Sequence, residues 1–307
     1  MSRNERVKPE AVTIERSKPV ARGRKNGAPV PTARKPKLGQ NFLADARAAE
    51  RIVDALGDIS QWTVVEIGPG RGALTGLLAD RARRLIAIEF DRVLAAQLRM
   101  RFAGRKNVEI IEADVLSVDF STLLGPRPGS TLSGLAPVRE KVRVIGNIPY
   151  YITSDILLRL FEYHLHFDSI VVMVQLEVAD RIAAKSGTRD YGLLSATSQF
   201  YTDVEKLFTV PAGAFAPPPK VQSAVLRLSV APKAEQLGVE PGAFIGFLKQ
   251  TFGQKRKTLL NNLKPAFGER PVRAALEKAR LRADVRAESV PLEKAAVVFR
   301  SLSQAEV

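Results

Sequence analysis

From Ala44 onward the chain alternates short apolar runs with stretches whose apolar residues recur every three or four positions. Ala48, Ile52, Val53 and Leu56 fall at helical spacing, and Gly57 is the stop signal for that helix. Trp62–Ile67 is an apolar run ending in Gly-Pro-Gly. Leu74, Leu77 and Leu78 mark a second helix, and Leu85–Ile88 a second strand. Asp91 is placed to cap a helix carrying Val93, Leu94 and Leu98. Val108–Ile111, Val142–Ile145 and Ile170–Val174 predict three further strands, with Ile156–Phe161 helical between the last two. Runs apolar on both faces, separated by helices, predict an α/β fold with a mostly parallel sheet covered by helices on both sides. From Pro241 the pattern is helical only, through Phe244, Phe247, Leu248, Leu259, Leu260, Leu263, Ala275, Leu276 and Ala279. The stretch from Gly125 to Glu140, rich in Gly, Pro and Ser, reads as a loop.

Apolar residues make up 45% of the 307, enough to bury a core. The absence of cysteine excludes disulfides, thiolate zinc sites and a catalytic thiol. With only His164 and His166, a histidine-rich metal site is not expected, and neither is given a ligand role. No apolar run reaches the roughly 18 residues of a spanning helix, so the chain reads as a soluble, cytoplasmic protein. Charge changes the picture most. The 47 Lys and Arg against 32 Asp and Glu leave +15, which points to a polyanionic partner. That excess is uneven. Residues 1–37 carry 11 basic and 3 acidic groups and five prolines, which predicts a basic, disordered tail. Residues 233–307 hold 14 basic and 8 acidic groups, whereas residues 38–232 hold 22 and 21. The expected organisation is therefore a tail (1–37), an α/β domain (38–232) and a small all-helical domain (233–307) suited to nucleic acid.

Chemistry concentrates at predicted strand ends. Glu66-Ile-Gly-Pro-Gly-Arg-Gly72 is a glycine turn between strand and helix, spaced G-x-G-x-G and not as the pyrophosphate-binding G-x-G-x-x-G. Glu89 ends the next strand, where a carboxylate can accept from a ribose diol. Asp114 ends the third, where it can accept from an adenine amino group. Alone, each reads more readily as a strand-end surface acid. Together, beside a glycine turn, they describe a nucleoside pocket without a phosphate cradle, which fits S-adenosylmethionine better than NAD.

The fourth strand ends in Asn147-Ile-Pro-Tyr150. Asn and Pro are common in plain turns. The functional alternative rests on the chemistry of adenine, whose exocyclic amine is a poor nucleophile because its lone pair is delocalised into the ring. A side-chain amide oxygen and a backbone carbonyl can both accept from that amine. They hold the nitrogen toward tetrahedral geometry, while Pro149 stiffens the turn and Tyr150 offers a face for stacking.

With Leu38-Gly-Gln-Asn-Phe-Leu43, Glu66-Ile-Gly-Pro-Gly70, Asn147-Ile-Pro-Tyr150 and Phe215-Ala-Pro-Pro-Pro-Lys-Val-Gln-Ser223 in this order, the chain resembles the small-subunit (16S) ribosomal RNA adenine N6,N6-dimethyltransferases. These are the family whose loss confers kasugamycin resistance. Phe252-Gly-Gln-Lys-Arg-Lys-Thr-Leu259 is similar too, and the likeness runs from about Leu38 to Phe299. The resemblance implies a Rossmann-like, S-adenosylmethionine-dependent methyltransferase fold with a C-terminal helical domain. It implies that Asn41 and Leu43 close over the cofactor, with Gly68 at its methionine part, Glu89 at its ribose, Asp114 at its adenine and Asn147 beside it. Asn147 and Ile148 would hold the target amine, and Tyr150 and Phe215 would sandwich the flipped base. The implied reaction converts two adjacent adenosines of the terminal hairpin to N6,N6-dimethyladenosine on immature 30S subunits, by a monomer, with no metal and no membrane. Lys255, Arg256, Lys257, Arg273, Lys278, Arg280, Arg282 and Arg286 would meet RNA phosphates.

Three other functions share parts of this pattern. Macrolide-resistance methyltransferases modify one adenine of large-subunit (23S) rRNA with similar blocks; the triple proline and the Gln-Lys-Arg-Lys segment favour the small subunit. A mainly non-catalytic 30S assembly checkpoint factor is another alternative. DNA adenine methyltransferases usually carry Pro-Pro in the catalytic turn, which Asn-Ile-Pro-Tyr lacks. The tail and the Gly125–Glu140 loop are both longer than the family pattern leads one to expect.

Overall fold

A computed structural model describes residues 41–125 and 142–304 of the chain. The basic tail and nearly all of the Gly125–Glu140 loop lie outside the described residues. In chain order, the elements begin with strand β1 (Phe42–Leu43), helix α1 (Ala46–Asp54), β2 (Thr63–Ile67), α2 (Thr75–Arg81), β3 (Arg84–Glu89), α3 (Arg92–Arg101) and β4 (Val108–Glu112). Next come α4 (Phe120–Leu123), β5 (Val142–Asn147), α5 (Thr153–Glu162), β6 (Phe167–Gln175), α6 (Leu176–Ala183), α7 (Leu193–Tyr201), β7 (Thr202–Val210), β8 (Phe215–Ala216) and β9 (Ser223–Val230). Helices α8 (Ala234–Leu237), α9 (Pro241–Thr251), α10 (Leu259–Phe267), α11 (Glu269–Lys278) and α12 (Leu292–Ser303) follow.

Seven strands form one sheet in the order β4-β3-β2-β5-β6-β9-β7. The first five are parallel, whereas β9 pairs antiparallel with both β6 and the edge strand β7. This antiparallel edge departs from the sequence pattern, which predicts no strand after Val174. For β7 the physical reason is that it carries Asp203, Glu205 and Lys206 along an exposed edge, where one side needs no apolar residues. Leu43 and Phe215 pair in a separate two-stranded ribbon of β1 and β8.

Alternation along β6 explains the two-sided core. Ile170, Val172 and Val174 face one apolar cluster, and Val171 and Met173 face the other. Helices α1, α2 and α3 bury Ile52, Leu78 and Leu98 on the second face. On the first face the cluster runs from α5 through Phe200 of α7 into Phe244, Leu263, Val272 and Val298 of the C-terminal helices. Asp91 caps α3 as the pattern predicts, its carboxylate accepting from the Val93 and Leu94 N–H groups at 2.8 and 3.1 Å. Among the described residues no helix is long and apolar enough to cross a membrane.

Candidate active site

The chain leaves β2 for β3 and β4 on one side and later returns to β5 on the other. That reversal opens a crevice above the carboxyl ends of β2 and β5, the place where open α/β sheets bind ligands. Register sets the site's level. Ile67 lies opposite both Ile88 and Gly146, so Gly68, Glu89 and Asn147 follow at one height above three adjacent strands. Asp114 stands two residues beyond Glu112, the partner of Glu89 on β4. Four adjacent strand ends span about 14 Å, the length scale of a nucleoside bearing a methionine-sized arm.

Gly68, Gly70 and Gly72 have φ of 64, 58 and 81°, a region L side chains avoid. Glu89, 4% exposed, holds this turn: one carboxylate oxygen accepts from the Gly70 N–H and the other from the Asp91 N–H, both at 2.8 Å. Asp114 is half-buried, with Oδ1 on the Leu116 N–H at 3.0 Å and no partner for Oδ2 among the described residues.

A strap crosses this turn. The Phe42 ring lies where a Cβ on Gly70 would approach it to 3.1 Å, and the Arg71 guanidinium covers the same ring at 4.4 Å. Antiparallel pairing of Leu43 with Phe215 anchors the strap, and the Ala44 and Asp45 N–H groups both donate to the Ala214 carbonyl. At its start the Asn41 carbonyl faces Asn147 Nδ2 at 3.4 Å. A carbonyl can only accept, so this contact orients the amide and leaves Asn147 Oδ1 facing elsewhere.

The turn after β5 is tied on every side but one. The Ile148 N–H donates to the Met173 carbonyl at 3.2 Å, and the Ile148 side chain is 1% exposed. Thr153 Oγ1 binds the Pro149 and Tyr150 carbonyls at 3.2 and 3.4 Å. The Tyr150 hydroxyl shares a 2.8 Å hydrogen bond with Ser223 Oγ, a residue to which the sequence pattern attaches no separate role. Two acceptors remain without partners among the described residues: Asn147 Oδ1 and the Ile148 carbonyl. Phe215 is 3% exposed, packs in the cluster under α1 and α2, and makes no ring contact with Tyr150 among the described residues.

Glu66 is the residue whose state only the structure reveals. It is 1% exposed, and its Oε2 has no hydrogen-bond partner among the described residues. Burial pushes its carboxyl up to about 8; the nearby Thr75 hydroxyl opposes this, and the Glu89 charge adds to it. The Thr75 hydroxyl approaches without forming a well-aligned hydrogen bond, so burial dominates. Its place inside the glycine block was visible in the sequence; its isolation from water was not.

Away from the crevice, Lys255, Arg256 and Lys257 stand exposed just before α10. Cations are disfavoured at a helix N-terminus, so three together there suit an external anion better than the helix itself. The Leu259 N–H donates to the Val285 carbonyl at 2.7 Å, and Thr258 bridges Arg286, which joins this turn to a cleft of about 480 Å³ lined by Arg280, Arg282, Asp284, Arg286 and Ser289. Lys255 is partly spent, its ammonium donating to the Arg189 carbonyl at 2.9 Å. His166 meets Ser121 Oγ at 3.2 Å and His164 the Phe161 carbonyl at 2.7 Å, and no cluster of metal-ligating side chains occurs among the described residues.

The sequence profile of the ribosomal RNA adenine dimethylase family matches residues 32–304. Ribosomal RNA small subunit methyltransferase A of Koribacter versatilis is 62% identical over 279 residues, covering 91% of this chain and 96% of its own. The protein of the same name from Acidobacterium capsulatum is 54% identical, covering 87% and 91%. Among solved structures, the 23S rRNA methyltransferase ErmE is 29% identical, with a TM-score of 0.61 over 86% of this chain and all of its own. A dimethyladenosine transferase from Plasmodium falciparum, 22% identical, shares the fold with a TM-score of 0.68 over 87% of this chain and 98% of its own. With a profile match across nearly the whole described chain and relatives this similar, the chain belongs to the ribosomal RNA adenine dimethylase family.

Proposed function

We propose that this enzyme transfers methyl groups from S-adenosylmethionine to N6 of two adjacent adenosines in the 3′-terminal hairpin of 16S rRNA. It acts as a cytoplasmic monomer on immature 30S subunits. The observation that carries this reading is the pair of unpartnered acceptors, Asn147 Oδ1 and the Ile148 carbonyl, at the end of β5. Two acceptors at one corner match the two N–H bonds of an exocyclic amine.

The residues present fit S-adenosylmethionine. Glu89 has lone pairs left on oxygens already fixed by two backbone N–H groups, so a ribose diol meets a carboxylate that cannot swing. Asp114 keeps Oδ2 for an adenine amine, and the left-handed glycines leave the turn free of side chains beside the methionine part. Asn41 and Leu43 hold the strap above. When bound, the cofactor supplies a methyl carried on a sulfonium. Asn147 and Ile148 draw the amine hydrogens aside so that the nitrogen lone pair points at that methyl. The methyl would be exchanged from a C–S to a C–N bond, and the turn of Asn147 and Ile148 would leave the surplus proton on nitrogen to pass to solvent. Tyr150, steadied by Ser223, gives the extruded base a stacking face. A sandwich with Phe215 requires that ring, buried here, to be uncovered as the base arrives.

The small-subunit target is supported by relatives at 62% and 54% identity that bear that name, against 29% for the 23S methyltransferase ErmE. Methyl transfer to unmethylated 30S subunits tests the reading. Wild type is expected to label both adenosines, and Asn147→Ala to lose at least about 100-fold in kcat, the scale for removing one preorganised polar group. Labelling of naked 23S RNA without labelling of 30S subunits overturns the target, and tight 30S binding without transfer overturns catalysis in favour of an assembly checkpoint.

A further inference from the structure

Six large apolar side chains stand exposed among the described residues, and four of them border the crevice in sequence. Phe90 and Val93 flank Asp91 beside Glu89, Val221 lies two residues before Ser223, and Tyr151 directly follows Tyr150. Scattered exposed apolar residues need no explanation, but a concentration around one site marks a binding rim.

Of the two aromatic side chains among these, Tyr151 is the one that lies on the turn following β5 itself. It sits in a single 3₁₀ turn, Tyr150–Ile152, where consecutive side chains point about 120° apart. Tyr150 is half-buried and bound to Ser223, whereas Tyr151 is 65% exposed and takes no hydrogen bond or ring contact among the described residues. Thr153 Oγ1 fastens the carbonyls on both sides of Tyr150, so the rise to Tyr151 is rigid while its ring is free. An exposed ring on a stiff mount, one residue from the stacking face for the target base, is a platform for a second base. Extruding one nucleotide strips its neighbours of a stacking partner, and aromatic side chains commonly replace that partner in single-stranded RNA.

We propose that Tyr151 is a positioning residue that stacks on the unpaired purine adjoining the target adenosine, keeping the neighbouring nucleotide splayed while the target occupies the pocket. This rests on the reading of Asn147–Tyr150 as the target-base site. For a substrate with two adjacent adenosines, the stacked neighbour is the other methylation target.

The full-length enzyme is assayed on unmethylated 30S subunits as wild type, Tyr151→Ala, Tyr151→Leu, Tyr151→Phe and Tyr151→Trp. A short RNA hairpin with 2-aminopurine next to the target reports stacking of the neighbour by fluorescence quenching, and S-adenosylhomocysteine binding reports the fold. Tyr151→Ala and Tyr151→Leu are expected to raise KM for the subunit about tenfold and to lose the quenching, with cofactor affinity unchanged. Phe and Trp, which keep a ring, are expected to stay within about twofold of wild type on both readouts. KM within twofold for Tyr151→Ala with quenching intact, while Tyr150→Ala abolishes transfer, overturns the platform and leaves the active site standing. Full activity of Tyr150→Ala overturns the underlying site itself. Equal loss in Leu and Phe variants also overturns the platform, since stacking would then not be the property lost.

Discussion

Glu66 carries a carboxyl that the fold prefers neutral. Its folded value of about 8 lies above the ordinary 4.5, chiefly because burial disfavours the anion. The native state therefore binds an extra proton between these values. The stabilisation that goes with it is fully present below about pH 4.5, declines as pH rises, and is lost above about pH 8. Glu66→Gln, close in shape and unable to ionise, should remove that dependence. We expect the variant to gain stability over wild type as pH rises from 5.5 to 8.5, by on the order of 2–4 kcal/mol at the upper end. Denaturant melts across that range check it, and parallel curves for the two proteins would show that Glu66 is already ionised at neutral pH. The sequence placed Glu66 in a functional block, but a pKa depends on neighbours from other segments. Here those are Thr75, Glu89 and the desolvating strands β3 and β5.

Among the elements, the β1 strap and the glycine turn act as one device. Gly70 cannot carry a side chain without pressing on Phe42, and Phe42 is held by Arg71 and by the pairing of β1 with β8. Gly70→Ala should cost about 1 kcal/mol from its left-handed backbone. It should also weaken S-adenosylhomocysteine binding about tenfold by lifting the strap. Phe42→Ala in the same chain should recover part of the binding loss but none of the backbone cost. Calorimetry of the two single variants and the double variant separates these terms, and strict additivity would mean that strap and turn are independent. The pattern revealed β2 through β6 because each carries a short apolar run, even β4, whose Glu109 and Glu112 are exposed. It missed β7, β9 and the β1–β8 ribbon for different reasons. The charged positions of β7 hide its pleat, and a two-residue strand such as Phe42–Leu43 has no period to detect.

For the whole molecule, the +15 charge is a matter of placement. Residues 38–232 are nearly balanced, and the described basic excess gathers on the C-terminal helical region around Lys255–Lys257 and the Arg280–Arg286 cleft. Surface ion pairs such as Arg282 with Asp284 contribute little to stability, so loss of nearby positive charge should register in binding before folding. Replacing Lys255, Arg256 and Lys257 by Gln should lower 30S affinity at all salt concentrations. It should flatten the slope of log affinity against log salt by up to about two, the value for three lost phosphate contacts on single-stranded RNA. The Arg189 contact of Lys255 should hold the change below that limit. An unchanged slope would place the RNA contact elsewhere.

By itself, the sequence determined the succession of β2 to β6, the partition of charge, and the residue types at the carboxyl ends of β2 to β5. These are local properties, written in periodicity, in caps such as Asp91 and in short motifs. Only the tertiary structure decided which groups were already spent and which were free. Glu89 is committed to two backbone N–H groups, Phe215 is buried, Glu66 is cut off from water, and Asn147 is oriented by a carbonyl 106 residues away. Hydrogen-bond saturation and desolvation depend on partners distant in the chain, so no local pattern carries them.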